Sequence, residues 1–331
     1  MAVGSQPAAR AVPGGLPPRR VAEALFPDVP IHYVDRFEAM ADLLDSFSDQ
    51  RPATCGAYVA RYLLTPLGHP VHEGVSTTRE DYLALLAGTV VEAYEDAPAE
   101  AVRAEVRRLG ITDGEAVDRY GEAYYAWPLR ASADPAVAGT SPTGTARIIA
   151  AASDGVLATL PLPARDASGT IRLTEEAWNG VLDLFDDRLV DWRIHPIANY
   201  ESDQLLDPTS AAYGAPALTS PDPAAAIPLD RWGVGHFAGL GAFWRAADGR
   251  RWVLLLDTFR HRGFSRYEPQ PAELLRRALV RDDGREGGLL LVLPREHLDA
   301  ARAAIEVTGL DVRMWGNGSL EPEGWAWEYG R

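Results

Sequence analysis

Residues 234–257 read Val234-Gly-His-Phe-Ala-Gly-Leu-Gly-Ala-Phe-Trp-Arg245, then Ala246-Ala-Asp-Gly-Arg250, then Arg251-Trp-Val-Leu-Leu-Leu-Asp257. Two apolar runs flank an Asp-Gly pair, which is a strong signal for a tight turn between antiparallel strands. The pattern therefore predicts a β-hairpin, with His236 near the start of its first strand and Asp257 at the end of its second. Because positions near the open ends of a hairpin are spatial neighbours, we expect Asp257 to accept a hydrogen bond from the His236 ring.

The only cysteine of the chain lies far upstream, in the segment Gln50-Arg-Pro-Ala-Thr-Cys55-Gly-Ala-Tyr58. Apolar residues then recur at the spacing of one helix face, which predicts a helix from Cys55 to about Leu64. Thr54 is a suitable N-cap residue for that helix. We therefore expect Cys55 in the first helical turn, where the positive end of the helix dipole favours a thiolate and backbone N–H groups lie beside the sulfur.

These residues together supply the groups needed for nucleophilic catalysis by a thiol. Such a site uses a base that deprotonates the nucleophile, donors that hold the oxyanion, and a group that fixes the imidazole tautomer. We interpret Cys55 as the nucleophile, His236 as the general acid and base, and Asp257 as the group that orients the imidazole. The side-chain amide of Gln50 and the backbone N–H of Cys55 are the candidate oxyanion donors.

The arrangement resembles the papain-like clan of cysteine peptidases, and most of all its bacteriocin-processing branch, the double-glycine leader peptidases and their stand-alone relatives. Those proteins have a Gln shortly before a Cys-Gly pair, then a His-aromatic-apolar strand, a hairpin, and an apolar strand that ends in Asp. The matching residues here are, in order, Gln50, Cys55-Gly56, His236-Phe237-Ala238 and Leu254-Leu-Leu-Asp257. The resemblance implies the same four catalytic roles. The segment between the cysteine and the histidine is longer than in a minimal leader peptidase, and Thr258 stands where the family usually has Pro.

The expected fold is α+β and papain-like, with a helical half whose central helix bears Cys55 packed on an antiparallel sheet. Residues 1–20 are expected to form a flexible N-terminal leader, and residues 21–331 a single catalytic domain with a helical insert at about 75–130. Within the insert, Pro98 and then Gly110 with Gly114 are expected to separate helices. Further helices are predicted at 36–47, 173–185, 271–279 and 295–305, strands at 189–197, 289–293 and 310–314, and loops at 131–145 and 202–228.

The composition narrows the possible partners and chemistry. The chain has 331 residues and a formal net charge of −15, and all 32 basic residues are arginine. The negative charge and the absence of a basic stripe disfavour a nucleic-acid partner, and the absence of lysine excludes Schiff-base chemistry. A single cysteine excludes an internal disulfide, and no apolar run approaches the ~20 residues that span a bilayer. We therefore expect a cytoplasmic protein without a membrane span.

Neither a metal nor an organic cofactor is expected. His69, His72 and Glu73 are close in sequence and offer metal-ligand atoms, but a loop after a helix end is the simpler explanation of this cluster. The sequence contains no Walker A motif and no Gly-x-Ser-x-Gly nucleophile elbow.

Four further residues are secondary candidates for substrate binding. His195 and Asn199 lead into the long 202–228 loop, where they could line a pocket. Arg260 and Arg262 carry guanidinium groups suited to a carboxylate or a phosphate. Each of the four also has a structural alternative, as part of a strand end or a solvated loop.

The predicted reaction is acyl transfer through a thioester on Cys55. A peptide or small amide is the expected acyl donor and water the expected acceptor, which corresponds to a cysteine peptidase-like hydrolase. Two alternatives stay open: the same triad forms an amide when an amine is the acceptor, as in an acyltransferase or cyclase, or the triad is inactive and the chain is a binding module. The substrate and the oligomeric state are left open by the sequence.

Overall fold

A computed structural model describes residues 12–121, 124–206 and 233–325, which form a mixed α+β structure. The helices in this part of the chain are α1 (Val21–Leu25), α2 (Phe37–Ser46), α3 (Cys55–Leu64), α4 (Glu80–Ala87), α5 (Ala93–Leu109), α6 (Asp113–Tyr120), α7 (Pro142–Ala152), α8 (Glu175–Arg188), α9 (Ala272–Val280) and α10 (Leu298–Glu306). The strands are β1 (His32–Tyr33), β2 (Val71–His72), β3 (Val75–Ser76), β4 (Val90–Glu92), β5 (Arg130–Ser132), β6 (Leu157–Pro163), β7 (His195–Glu201), β8 (Gly235–Arg245), β9 (Arg251–Leu256), β10 (Tyr267–Pro271) and β11 (Gly288–Pro294).

An antiparallel sheet forms the centre of the structure. Its strand order is β10-β9-β8-β7-β11-β6, and β1 pairs with β8 beside this path. Every residue of β7, inside the sheet, and of β6, at its edge, is buried, so both faces of these strands are covered. One group of helices, α3, α4 and α7, packs together and places α3 against β8, while α8 contacts both α9 and α10 in a second group. The predicted α+β class with an antiparallel sheet is confirmed.

The two segments that dominated the sequence analysis form as predicted. The hairpin of β8 and β9 pairs Trp244 with Trp252 and Arg245 with Arg251 across the Asp-Gly turn. The helix α3 runs from Cys55 to Leu64, and every one of its residues is buried. Both elements are specified by local signals, which are periodicity in the helix and a turn between apolar runs in the hairpin.

The helices of the predicted insert do not all begin and end where the sequence predicts. Pro98 lies inside α5 and does not break it, because the helix gives up one backbone hydrogen bond near its first turns and keeps the exposed ring on its outer side. The helix ends instead at Gly110, whose φ of 64° is the left-handed conformation of a helix C-terminus. Helices α5 and α6 then enclose a small apolar cluster of their own, built on Val106, Ala116 and Tyr124.

Three other predicted segments differ from the structure. The loop predicted at 131–145 ends early, because Ser141 caps a helix that begins at Pro142. The strand predicted at 189–197 begins only at His195. The segment 310–314, predicted as a strand, forms neither a helix nor a strand and pairs with none of the described strands. Helix α7 and strand β6 had no counterpart in the sequence analysis.

Two predicted segments fall partly outside the described residues, namely 1–11 of the leader and 207–228 of the long loop. Within the described part of the leader, Arg19 pairs with Asp42 and Asp45 of α2. Among the described residues, no helix is both long and apolar enough to cross a membrane.

Candidate active site

The N-terminus of α3 carries Cys55. Thr54 occupies the N-cap position, but its hydroxyl makes no capping hydrogen bond to the helix. It donates instead to the carbonyl oxygen of Arg51 at 2.8 Å and also contacts the Glu80 carboxylate. The first-turn N–H groups beside Cys55 therefore have no side-chain cap, and such groups are suited to binding negative charge.

Glu80 anchors the loop that leads into α3. Its Oε1 atom accepts a hydrogen bond from the backbone N–H of Arg51 at 2.9 Å, and its Oε2 atom lies 3.4 Å from Nη1 of Arg61. Burial raises the pKa of Glu80, whereas the hydrogen bonds from Thr54 and Arg51 oppose that rise. One buried carboxylate thus fixes both the loop before Cys55 and the helix after it.

His236 and Asp257 meet at the open end of the hairpin, as the sequence predicts. His236 is the second residue of β8, and Asp257 directly follows β9. The Nε2 atom of His236 lies 3.2 Å from Oδ2 of Asp257 and 3.3 Å from Oγ1 of Thr258. Asp257 also accepts hydrogen bonds from the backbone N–H of Phe259 at 2.8 Å and from the Tyr200 hydroxyl at 3.4 Å.

The histidine and the aspartate form a buried ion pair. Their side chains are 3% and 0% exposed. Burial by itself lowers the pKa of His236, but the charge of Asp257 and hydrogen bonds to Asp257 and Cys55 outweigh it and raise the pKa. Burial likewise raises the pKa of Asp257, and the charges of His236 and Arg262 outweigh it and lower the pKa. Both shifts favour imidazolium opposite carboxylate.

The Cys55 thiol lies within hydrogen-bonding reach of the His236 side chain. Both residues line one cavity of about 700 Å³, and Cys55 keeps 8% of its surface exposed there. Gln50, Thr140 and Phe259 are among the other lining residues. The structure therefore places the thiol next to the imidazole, and the imidazole next to the carboxylate. The cavity beside them is large enough for a small molecule or a few peptide residues.

Gln50 reaches the same cavity, as the sequence analysis expected. Its backbone N–H donates to the carbonyl oxygen of Thr258 at 3.3 Å, which ties the loop before Cys55 to the residue after Asp257. Its Nε2 atom donates one hydrogen bond, to the carbonyl oxygen of Arg51 at 3.2 Å. No acceptor contacts the second hydrogen of that amide among the described residues.

None of the four secondary candidates for substrate binding is among the residues that line this cavity. Asn199 is fully buried and supports the site from behind, because its Nδ2 donates to the carbonyl oxygen of His236 at 3.2 Å. His195 lines a different cavity at the other end of β7, about 17 Å along the strand from Tyr200. Arg260 is exposed and binds the carbonyl oxygens of Asp45 and Phe47. The side chain of Arg262 is 9% exposed and pairs with Glu268, behind Asp257.

Three residues of the site were missed by sequence reasoning: Glu80, Tyr200 and Glu268. Each is a buried polar group, and the partners of Glu80 and Tyr200 come from distant parts of the chain, whereas the partner of Glu268, Arg262, is 6 residues away. Tyr200 pairs with His236 in the β7–β8 register, which no local pattern reveals. A glutamate inside the strand Tyr267-Glu-Pro-Gln-Pro271 is the one unusual signal, because a fully buried glutamate requires a partner.

Taken together, the fold and the cavity define an α+β protein with a buried Cys–His–Asp cluster at the junction of a helix and an antiparallel sheet. A family of unknown function, DUF6885, matches residues 34–316 of the sequence, and the chain belongs to that family. No curated protein matches the chain.

Proposed function

We propose that this protein is a papain-like cysteine hydrolase that transfers an acyl group from a peptide or small amide to water through a thioester on Cys55. The observation that supports it most directly is the shared cavity, where the thiol meets a His236 ring that is already paired with Asp257 at 3.2 Å. The order of these elements along the chain is also that of the bacteriocin-processing peptidases. The proposal includes the papain-like assignment of the fold.

At the start of the reaction, His236 already holds the proton of the Cys55 thiol, as the raised pKa of the imidazole favours, and the sulfur is a thiolate. Since Nε2 of the ring faces Asp257 and Thr258, we assign this proton to Nδ1. The thiolate attacks the carbonyl carbon and forms a tetrahedral oxyanion. The imidazolium then protonates the leaving nitrogen, the C–N bond breaks, and an acyl thioester remains on Cys55.

In the second half, neutral His236 takes a proton from water. The resulting hydroxide attacks the thioester, the imidazolium returns its proton to the sulfur, and the carboxylic acid leaves. An amine in place of water would give an amide by the same steps. Asp257 keeps the ring in one tautomer and stabilises the imidazolium in both halves.

Oxyanion binding is assigned to two donors at the start of α3. The backbone N–H of Cys55 belongs to a helix end without a side-chain cap, and the second amide hydrogen of Gln50 has no acceptor in the part of the chain that the structure describes. Such donors contribute mainly in the transition state, where the charge on the oxygen develops.

The thiolate can be tested on the purified full chain by mass spectrometry, since Cys55 is the only thiol. Stoichiometric iodoacetamide at pH 6 is expected to alkylate the native protein, and His236→Ala should slow alkylation by about tenfold or more. His297→Ala, at a histidine outside the cavity, serves as the matched control and should label as the parent does. Labelling that is equally slow in the parent and in His236→Ala would favour an inactive binding module.

Acyl transfer can be tested with p-nitrophenyl acetate, an activated donor that requires little recognition. The expected result is release of nitrophenolate with transient acetylation of the protein, and loss of both in Cys55→Ala. Adding glycinamide separates the acceptors, because an acetylated amine in place of acetate would identify an amide-forming enzyme. Equal nitrophenolate release from the parent and from Cys55→Ala would contradict the proposal.

A further inference from the structure

A second buried ion pair lies directly behind the His236–Asp257 pair. Nε of Arg262 is 2.9 Å from Oε1 of Glu268 and 3.9 Å from Oδ2 of Asp257. Glu268 is fully buried and Arg262 is 8% exposed. The guanidinium therefore lies between two carboxylates, and only one of them contacts the imidazole.

The chain holds Arg262 in this position from both sides. Arg262 belongs to the 258–266 loop that joins β9 to β10, and Glu268 lies in β10 opposite Leu255 of β9. Gly263 has a φ of 57°, and a Cβ atom there would stand 2.5 Å from Cγ of Glu268. The loop thus closes tightly over Glu268, and the backbone N–H of Asp257 donates to the carbonyl oxygen of Arg266 at the loop's far end, at 2.8 Å.

The proposed reaction creates a need for such a cation. Asp257 is completely buried, and its charge is balanced by His236 only while the imidazole is protonated. Each time the imidazolium gives its proton to a leaving group, Asp257 would lose the positive charge of His236 while it stays buried, which is unfavourable even with its hydrogen bonds from Phe259 and Tyr200. A guanidinium stays charged throughout, because arginine does not lose its proton in proteins.

We propose that Arg262, held in place by Glu268, is a positioning residue that keeps Asp257 ionised and directed at His236 through the whole catalytic cycle. This inference rests on the function proposed above. Glu268 has the complementary role, since its negative charge limits the effect of Arg262 and leaves enough negative potential at the imidazole to favour its protonated form.

Several charged or titratable groups act on this cluster. Asp257 is influenced by His236, Arg262, Tyr200, Tyr62, His261 and Glu268, and the imidazole also by Cys55. Burial raises the pKa of Glu268, the charge of Arg262 opposes this rise, and the charge of Asp257 adds to it. Neutralising Glu268 or Arg262 should therefore change the potential at the thiol and the imidazole in opposite directions.

The test measures the rate of Cys55 alkylation by iodoacetamide against pH in two variants that each remove one charge. Glu268→Gln removes a negative charge, so the thiolate is favoured and the imidazolium disfavoured, and the whole profile should move to lower pH by about 0.5–1 unit. Arg262→Gln removes a positive charge and should move the profile to higher pH by a similar amount. The double variant should return close to the parent.

Two controls separate positioning from a general loss of structure. Glu273→Gln breaks a comparable arginine–glutamate pair on α9, that of Arg276 and Glu273 at the protein surface, and should leave the profile unchanged. Arg262→Lys keeps the positive charge, so its profile of alkylation rate against pH should stay close to that of the parent. If Arg262→Gln does not fold, Glu268→Gln and Arg262→Lys still decide the question.

The inference fails if Glu268→Gln leaves the profile where it is, or if the two neutralising variants shift it in the same direction. A failure of the underlying function is recognised separately. If the proposed function is wrong, the alkylation rate will not depend on His236 and no acyl-protein will form. If the rate depends on His236 but its pH profile is the same in the Arg262 and Glu268 variants, only this inference is overturned.

Discussion

Gln50 carries two amide hydrogens and one carbonyl oxygen, and the structure uses only part of this capacity. One hydrogen bond goes to the carbonyl oxygen of Arg51, while Oε1 is buried and has no partner among the described residues. A buried acceptor without a partner is costly, and Oε1 cannot donate to an oxyanion, so the role assigned to Gln50 belongs to its amide N–H groups. The residue is held mainly by its backbone hydrogen bond to Thr258, and this bond does not depend on the side chain.

Gln50→Ala is expected to slow acyl transfer by Cys55 without slowing the alkylation of Cys55. Acyl transfer should fall by on the order of 10²–10³, because one oxyanion donor is lost. Alkylation by iodoacetamide should keep the parental rate, since this reaction forms no oxyanion. Both rates can be measured on the same preparation, with nitrophenolate release for the first and intact mass for the second. An equal loss in both reactions would show that Gln50 acts on the thiol itself.

At the scale of elements, the position of Cys55 depends on how closely α3 approaches α7. Gly56 makes this approach possible, because a Cβ atom there would overlap Oγ1 of Thr145 and stand 2.9 Å from Cγ2 of Thr140. The Cys-Gly pair in the sequence is thus a packing requirement as well as a part of the motif. On the other side of α3, the Tyr62 hydroxyl accepts from the Gly239 N–H at 2.9 Å and donates to the Leu256 carbonyl oxygen at 3.1 Å.

Gly56→Ala should therefore destabilise the protein and displace the thiol. We expect a loss of about 1–3 kcal/mol in the free energy of unfolding, the usual range for overpacking, together with slower alkylation of Cys55. Urea unfolding measures the first effect. Gly114→Ala is the matched control, since that exposed helical glycine has its nearest neighbour at 4.0 Å, and it should be neutral or stabilising by up to about 1 kcal/mol. Equal stabilities for the two variants would exclude the packing argument.

At the scale of the whole molecule, the sheet contains two buried histidines whose pKa values shift in opposite directions. His236 is compensated by Asp257. His195, at the other end of β7, is 2% exposed and has no partner for either ring nitrogen among the described residues. Burial lowers the pKa of His195 to about 4, against a weak opposing effect of Asp35. The effect of burial, which lowers a histidine pKa, is therefore outweighed at His236 and dominant at His195.

His195 should make the protein sensitive to acid. Its folded pKa lies below the ordinary value of 6.5, so its contribution to stability is fully present above pH 6.5 and is lost as the pH falls toward 4. The loss reaches at most about 3 kcal/mol. In His195→Leu, the difference in unfolding free energy between pH 7.5 and pH 4.5 should become smaller than in the parent. His32→Leu, at an exposed position, should leave that difference unchanged, and a parental difference in His195→Leu would refute the expectation.

Elements with strong local signals were predictable from the sequence, and those defined by remote packing were not. The hairpin and α3 depend on a turn dipeptide and a helical period, and both formed within one or two residues of the predicted bounds. Strand β6 gives no such signal, because it is buried on both faces and its Pro161 and Pro163 obscure the pattern. The segment 310–314 has alternating apolar residues but lacks a neighbouring strand to pair with.

The sequence by itself determined which residues form the candidate site: one thiol at a predicted helix start, and a histidine and an aspartate at the open end of a predicted hairpin. Only the tertiary structure decided their surroundings. Glu80 beneath the Cys55 loop, and the Arg262–Glu268 pair behind Asp257, are contacts between groups that no periodicity connects. Helix and strand signals arise from neighbours along the chain, whereas burial, which sets the charge state of each group, arises when distant segments pack.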